Sequence, residues 1–165
     1  MSLVSEQRGA TLVELVITIV IISVAIAGVV GAFSLVAGRS ADPLNQTRVV
    51  ELAQLYMDEI LTKKYDNNTP QGGTPKYSGS CNIGAEAGEN RGNFNDVDDY
   101  NGLTDSPPRS AESVLNGYSG FSVFVTVACA GADVGLPTSQ AKRIELNIQA
   151  PGDQSFIMSA YRANF

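Results

Sequence analysis

From Leu15 to Gly38 the chain carries no Asp, Glu, Lys or Arg. Those 24 residues make a helix about 36 Å long at about 1.5 Å per residue, enough to cross a hydrocarbon core of about 30 Å. Val, Ile and Gly dominate the run and are poor helix formers in water, but in lipid the helix is forced, because backbone polar groups must be bonded internally. The pattern predicts a helix from about Thr11 to Gly38. Ala25, Gly28, Gly31 and Ala32 give it small surfaces on which another helix can approach. The segment Arg39-Ser40-Ala41-Asp42-Pro43 then predicts a kink near 42–43, with Asp42 as N-cap and Pro43 as the first residue of a second helix. That helix extends to about Lys64. Val49, Leu52, Ala53, Tyr56 and Ile60 recur at helical spacing and give it one apolar stripe, and Lys63 and Lys64 suit its C-terminus.

Residues 65–117 lose all periodicity and are rich in Gly, Asn, Asp, Pro and Ser. Residues 118–165 return to order with period two. Phe121, Val123, Val125, Val127 and Cys129 share one face of a strand. Ile144, Leu146 and Ile148 share one face of a second, and Ser155 to Tyr161 makes a third. Gly131 to Ala141 and Pro151-Gly152-Asp153 are the loops between them. The whole predicts an α+β chain in which the stripe of residues 49–60 packs on an antiparallel β-meander.

Composition changes this picture little but excludes much. The chain has 165 residues, a formal net charge of −6, no His and no Trp. With Lys and Arg scattered singly, no basic stripe offers itself to nucleic acid. The absence of His removes a Ser-His-Asp triad and the commonest zinc ligand. No Gly-rich phosphate loop precedes a helix. The expectation is a protein that is not an enzyme, with no catalytic residues. Cys81 and Cys129 are the only cysteines. In an exported head they favour a disulfide; in a cytosolic one they would be free core thiols. Charge leaves the orientation open, with Arg8 before the apolar run and Arg39 and Arg48 beyond it. The run is too long for the apolar core of a secretory signal peptide, so cleavage in front of it, keeping it in the mature chain, is the better reading.

One charge, Glu14, stands at the start of the apolar run. A carboxylate there is expensive in lipid and calls for a partner; the plain alternative is an anchor with Glu14 in the headgroup region. The residues Arg8-Gly9-Ala10-Thr11-Leu12-Val13-Glu14-Leu15 resemble the cleavage and assembly signal of type IV pilins and type II secretion pseudopilins. Ala10 departs from the Phe usual at that position. The resemblance implies a leader of residues 1–9, cleavage between Gly9 and Ala10 by a prepilin peptidase, and N-methylation of Ala10. It also implies Glu14 as an assembly residue and a spine helix over residues 10–64, with its membrane part at about 12–38. Residues 65–117 would be the variable region and 118–165 the sheet. Implied partners are other pilins in a helical filament, the prepilin peptidase, an inner-membrane assembly platform and, before assembly, the lipid bilayer. The implied location is the bacterial inner membrane, N-terminus cytoplasmic and head periplasmic, and then the pilus at the cell surface.

The dense charge cluster is Asn95-Asp96-Val97-Asp98-Asp99-Tyr100. Asp96, Asp98 and Asp99 are candidates for holding Ca²⁺, which takes about six to eight oxygens, although their spacing fails the EF-hand pattern. The competing reading is carboxylates that cap turns, with no metal or cofactor. This run with Asn101-Gly102-Leu103, the Asp42-Pro43 break, Gly120-Phe121-Ser122-Val123 and Lys142-Arg143-Ile144 also resemble MshD-type minor pilins of the mannose-sensitive haemagglutinin (MSHA) pilus. That finer resemblance implies a minor subunit that primes assembly or sits at the tip with an adhesive role. The alternatives are a minor pseudopilin of a type II secretion system and, in another class, a bitopic anchored binding domain that never polymerises.

Overall fold

The structure is a computed structural model describing residues 11–39, 41–70 and 72–165. The chain divides into two compact units, one reaching to Leu44 and one from Asn45 to Phe165. The first contains α1, Leu12–Arg39. Its large apolar side chains are exposed on every side, Leu12, Ile17, Ile22, Val29 and Phe33 among them. A helix apolar all round belongs in lipid or inside a bundle. Thr18, Ser23 and Ser34 do not interrupt it, because each hydroxyl donates to the carbonyl four residues back, at 2.7, 2.7 and 3.0 Å. Such back-bonding hides the hydroxyl dipole against the helix.

The next helix, α2, spans Ala41–Leu61. Asp42 and Pro43 therefore lie within its first turn, where the expectation had a kink with Asp42 as cap. Proline is tolerated there because that N–H would have no partner in the helix. The helix also ends three residues before Lys64. Lys63 instead donates its ammonium to the Phe94 carbonyl at 2.9 Å, holding the following loop.

From Asn45 onward the expected α+β layout is present. Four antiparallel strands lie in the order β1 (Thr104–Asp105), β2 (Ser122–Cys129), β3 (Ala141–Ala150) and β4 (Gln154–Ala163). Val125 faces Leu146 across β2 and β3, and Leu146 faces Met158 across β3 and β4. Val49, Leu52, Ala53, Tyr56 and Ile60 of α2 form one core with Val123, Val125 and Val127 of β2 and Ile144, Leu146 and Ile148 of β3. All of these are buried. Helical period on one side and period two on the other thus meet in a single apolar layer, the main source of the head's stability.

Two turns depend on particular backbone conditions. Gly152 (φ +85°) and Asp153 (φ 59°) close the β3–β4 hairpin in the left-handed region, which glycine enters freely and Asp better than most residues. In the β2–β3 connection a Cβ at Gly131 would collide with the Pro137 carbonyl, so only glycine fits that close approach.

The stretch read as irregular is more ordered than its composition suggests. It contains β1, paired through Thr104 with Phe124, and a 3-10 turn at Asp98–Tyr100. The backbone of Gly102 and Leu103 is bonded to Val125, and the Asn101 carboxamide oxygen accepts from Val127 N at 3.0 Å. Both depend on long-range partners.

Candidate functional site

Apart from the cysteine pair, two places in the chain carry the residues singled out by sequence. The first is the N-terminal end of α1. Gly9 and Ala10, the expected cleavage pair, lie outside the described residues, as does the rest of the leader. Thr11 is the cap: its Oγ1 accepts from Glu14 N at 3.3 Å, and its carbonyl accepts from Leu15 N at 3.1 Å. Glu14 is the third helical residue, so Thr11-Leu12-Val13-Glu14 has the spacing of a capping box. A carboxylate in the first turn also suits the positive end of the helix dipole. Thr11 was not assigned this part from the sequence, although Thr three residues before Glu is the signal for it. α1 is the one helix among the described residues long and apolar enough to cross a membrane, with mean hydropathy 2.8 over Leu12–Val36.

The second place is the acidic run. Asp96 and Asp99 are buried against the core, 0% and 3% exposed. Each uses one carboxylate oxygen to tie the loop. Asp96 Oδ1 accepts from the amides of Asp98 and Asp99 at 3.0 and 3.3 Å. Asp99 Oδ2 accepts from the amides of Asn95 and Asp96 at 2.7 and 3.1 Å. The capping reading is therefore part of what these residues do. The other oxygens, Asp96 Oδ2 and Asp99 Oδ1, are buried with no hydrogen-bond partner, and so is Asn95 Oδ1. Burial, with the neighbouring Asp98 and Asp99 carboxylates, pushes the Asp96 carboxyl up to about 8 against the pull of Lys142. Burial likewise raises Asp99.

Asp98, in side-chain contact with Asp96, is also held by a cation. Its Oδ1 is ion-paired to the ammonium of Lys142 on β3, which also donates to the Tyr65 carbonyl at 2.7 Å and lies 3.8 Å from Asp66. Asp98 thus neutralises a buried cation. The structure also brings Glu86, ten residues before Asp96, to the carboxylates of Asp96 and Asp99. One carboxylate oxygen from each of Glu86, Asp96 and Asp99 lies within 4.8 Å of the others.

A second, partly buried cation organises the same stretch. Arg91 pairs with Glu59 of α2 at 2.9 Å and with Asp105 of β1, donates to the Arg109 carbonyl at 2.9 Å, and stands 4.8 Å over the Tyr56 ring. Tyr100 donates to Glu59 at 2.9 Å. A disulfide joins Cys81 to Cys129 at the end of β2 with Cα atoms 6.2 Å apart.

With the helix end and the head described, one comparison with known proteins bears on them. The family model for the prokaryotic N-terminal methylation motif matches residues 5–30. The chain carries that motif. The match covers the polar lead-in, the Thr11 cap, Glu14 and most of the exposed apolar helix. It supports a type IV pilin or pseudopilin, a family of structural subunits. No curated protein and no solved structure matches the chain; the likeness rests on the motif over residues 5–30, beside a head of α+β, pilin-like layout.

Glu86 and Arg91 have no role in the sequence reading, and Lys142 enters it only as part of a strand start. The first two sit in a region without period. Lys142 stands at a strand start, where a lysine ordinarily faces water.

Proposed function

We propose that this chain is a minor type IV pilin, of the kind found in MSHA-like pili, and not an enzyme. It is made as a single-pass inner-membrane precursor with its N-terminus cytoplasmic and its head periplasmic. A prepilin peptidase cuts between Gly9 and Ala10 and the new Ala10 amine is methylated. The subunit then leaves the bilayer for a filament of other pilins, priming it or standing at its tip with an adhesive role. The observation that carries this reading is a capped, wholly exposed apolar helix whose first turn holds Glu14, inside a matched methylation motif.

The physical logic lies in the charges. An unpaired carboxylate entering hydrocarbon costs about 2.5–3.5 kcal/mol on insertion scales. Cleavage creates an amine at Ala10, four residues before Glu14. The amine of the same chain, or that of a neighbour in the filament, offsets the cost only when correctly placed, so the pair sets the axial register of one helix against the next.

The test is the N-terminal peptide mass from native cells, followed by shearing of surface filaments. A peptide beginning at methylated Ala10, from subunits present in the sheared fraction, is the expected result. Gly9→Val should hold the chain at precursor size, because the peptidase must approach the backbone closely. Native protein that retains residues 1–9 would overturn the reading. Processed protein that never leaves the membrane would favour an anchored domain or a secretion pseudopilin.

A further inference from the structure

We propose that Glu86, Asp96 and Asp99 form a Ca²⁺ site in the head, with Asn95 Oδ1 as a further oxygen ligand. The proposal stands on the geometry of the head alone and is independent of the function assigned to α1.

Three observations converge. One oxygen from each of the three carboxylates falls within 4.8 Å of the others. Two oxygens on one Ca²⁺ at about 2.3–2.6 Å are separated by no more than about 4.6–5.2 Å, so the three are spaced as ligands of a single ion. Next, Asp96 and Asp99, both more than nine-tenths buried, each keep one oxygen that no amide, hydroxyl or ammonium donor reaches; the side chains that do contact these two residues, Asp98 on Asp96 and Glu89 on Asp99, are themselves carboxylates. Their other oxygens are fully engaged by loop amides, which fixes both carboxylates in place. Buried acceptors without donors are rare in folded proteins, and a bound cation is one of the few things that explains them. Finally, Asn95 Oδ1 is buried and unpartnered in the same loop, while its amide nitrogen is committed to Glu89 at 2.7 Å. The Asn95 carboxamide is thereby oriented with its nitrogen occupied and its oxygen available.

Two of the neighbouring cations are engaged elsewhere. Lys142 is paired with Asp98 and Lys63 donates to Phe94 O. Hard oxygen donors alone favour Ca²⁺ or Mg²⁺ over softer metals. The chain has no His, and both cysteines are in the disulfide. Mg²⁺ demands near-octahedral geometry and keeps several waters. A site walled by two buried carboxylates and an irregular loop suits the larger, more tolerant ion. Glu86 is exposed and supplies the open side, where water completes the shell. It also belongs to a turn closed on itself, Glu86 N donating to Glu89 Oε2 and Glu89 N to Glu86 O, both at 3.1 Å. The ion would tie this outer turn to the buried floor.

The experiment uses the full chain in detergent, with Ca²⁺ alone as probe after chelator treatment, read by calorimetry and by thermal melting. The expected result is saturable heat at one site and a melting temperature that rises with Ca²⁺ and rises less with equal Mg²⁺. Glu86→Gln keeps the ion-free melting temperature of the wild type, since the residue is exposed, yet weakens Ca²⁺ binding at least tenfold. Asp99→Asn abolishes the Ca²⁺-dependent rise. No heat and no rise in the wild type, or a Glu86→Gln variant that responds like the wild type, would overturn the proposal.

Discussion

Lys142 is ion-paired with Asp98, and both side chains are buried. The ammonium is the hub of the head: it also bonds the Tyr65 carbonyl and lies 4.6 Å over the Tyr65 ring. Lys142→Met would fill much of the same volume but leave Asp98 as an uncompensated buried charge, with Asp66 nearby. Breaking one side of such a pair costs about 3–5 kcal/mol. Urea unfolding of the full chain in detergent should show that loss. Adding Asp98→Asn should recover a measurable part of it, because residues in contact couple by about 0.5–3 kcal/mol. A double variant no better than Lys142→Met would mean that the pair is not the reason Lys142 is tolerated there.

Arg91 fastens the long loop to α2 and β1 at once. Arg91→Ala leaves Glu59 and Asp105 without their cation and should destabilise by about 3–5 kcal/mol. Tyr56 is a lesser member of the same network. Its hydroxyl donates to Asp105 at 2.6 Å and accepts from Arg109 N at 3.0 Å. Tyr56→Phe should cost about 1–3 kcal/mol, chiefly the unmet groups left behind. Comparison of the two denaturation midpoints checks the order; a larger loss for Tyr56→Phe would contradict it.

The Cys81–Cys129 bridge closes a loop spanning 48 residues. In the chain-entropy account, a loop of that size contributes on the order of 4 kcal/mol by restricting the unfolded chain. The paired change Cys81→Ser and Cys129→Ser should lower unfolding stability by up to that amount while leaving the α2–sheet core intact. Unfolding with and without reductant measures it. Identical midpoints in the two conditions would remove the bridge from the account.

Tyr65 supplies a pH dependence. Burial first, then the charges of Asp66 and Asp98 and the neighbouring Tyr77, pushes its hydroxyl up to about 12. Lys142 faces the ring, and the hydroxyl donates to the Ser139 carbonyl at 2.8 Å. The unfolded tyrosine ionises near 10. Below pH 10 the phenol is neutral in both states and its contribution is fully present. Above 10 the unfolded state loses its proton first, so stability falls until the folded group ionises near 12. Tyr65→Phe should flatten the fall in unfolding midpoint between pH 10 and 12 relative to the wild type. Parallel slopes would show that Tyr65 does not carry it.

The sequence made the layers of this protein legible and left its wiring hidden. α1 was readable because one charge-free run admits one solution in lipid. α2 and three strands were readable because Tyr56, Val125 and Leu146 each repeat with a period that the fold then uses. β1 escaped notice because two residues, Thr104 and Asp105, carry no period; they become a strand only when β2 lies beside them. Glu86 escaped for a related reason, since its approach to Asp96 depends on how the intervening chain folds back. The ion pair of Asp98 was hidden because adjacent carboxylates look alike in sequence, and only the position of Lys142 distinguishes Asp98 from its neighbours.

The anchors also divide labour along the chain. Tyr65 at Lys142, Tyr77 bonded through both backbone groups to the Asn164 carboxamide, Cys81 at Cys129 and Arg91 at Glu59 fasten the stretch after α2 at four points. Neighbouring anchors are 12 residues apart or fewer. A doubling of such a closed span costs only about 0.6 kcal/mol in entropy. The same holds where Arg109 and Val114 bridge to close the exposed tip at 111–113. The head is therefore built like a peg-board. Its pegs must stay where they are, while the cord strung between them can be lengthened, recoloured or made to bear a new recognition surface, and the sheet beneath feels none of it.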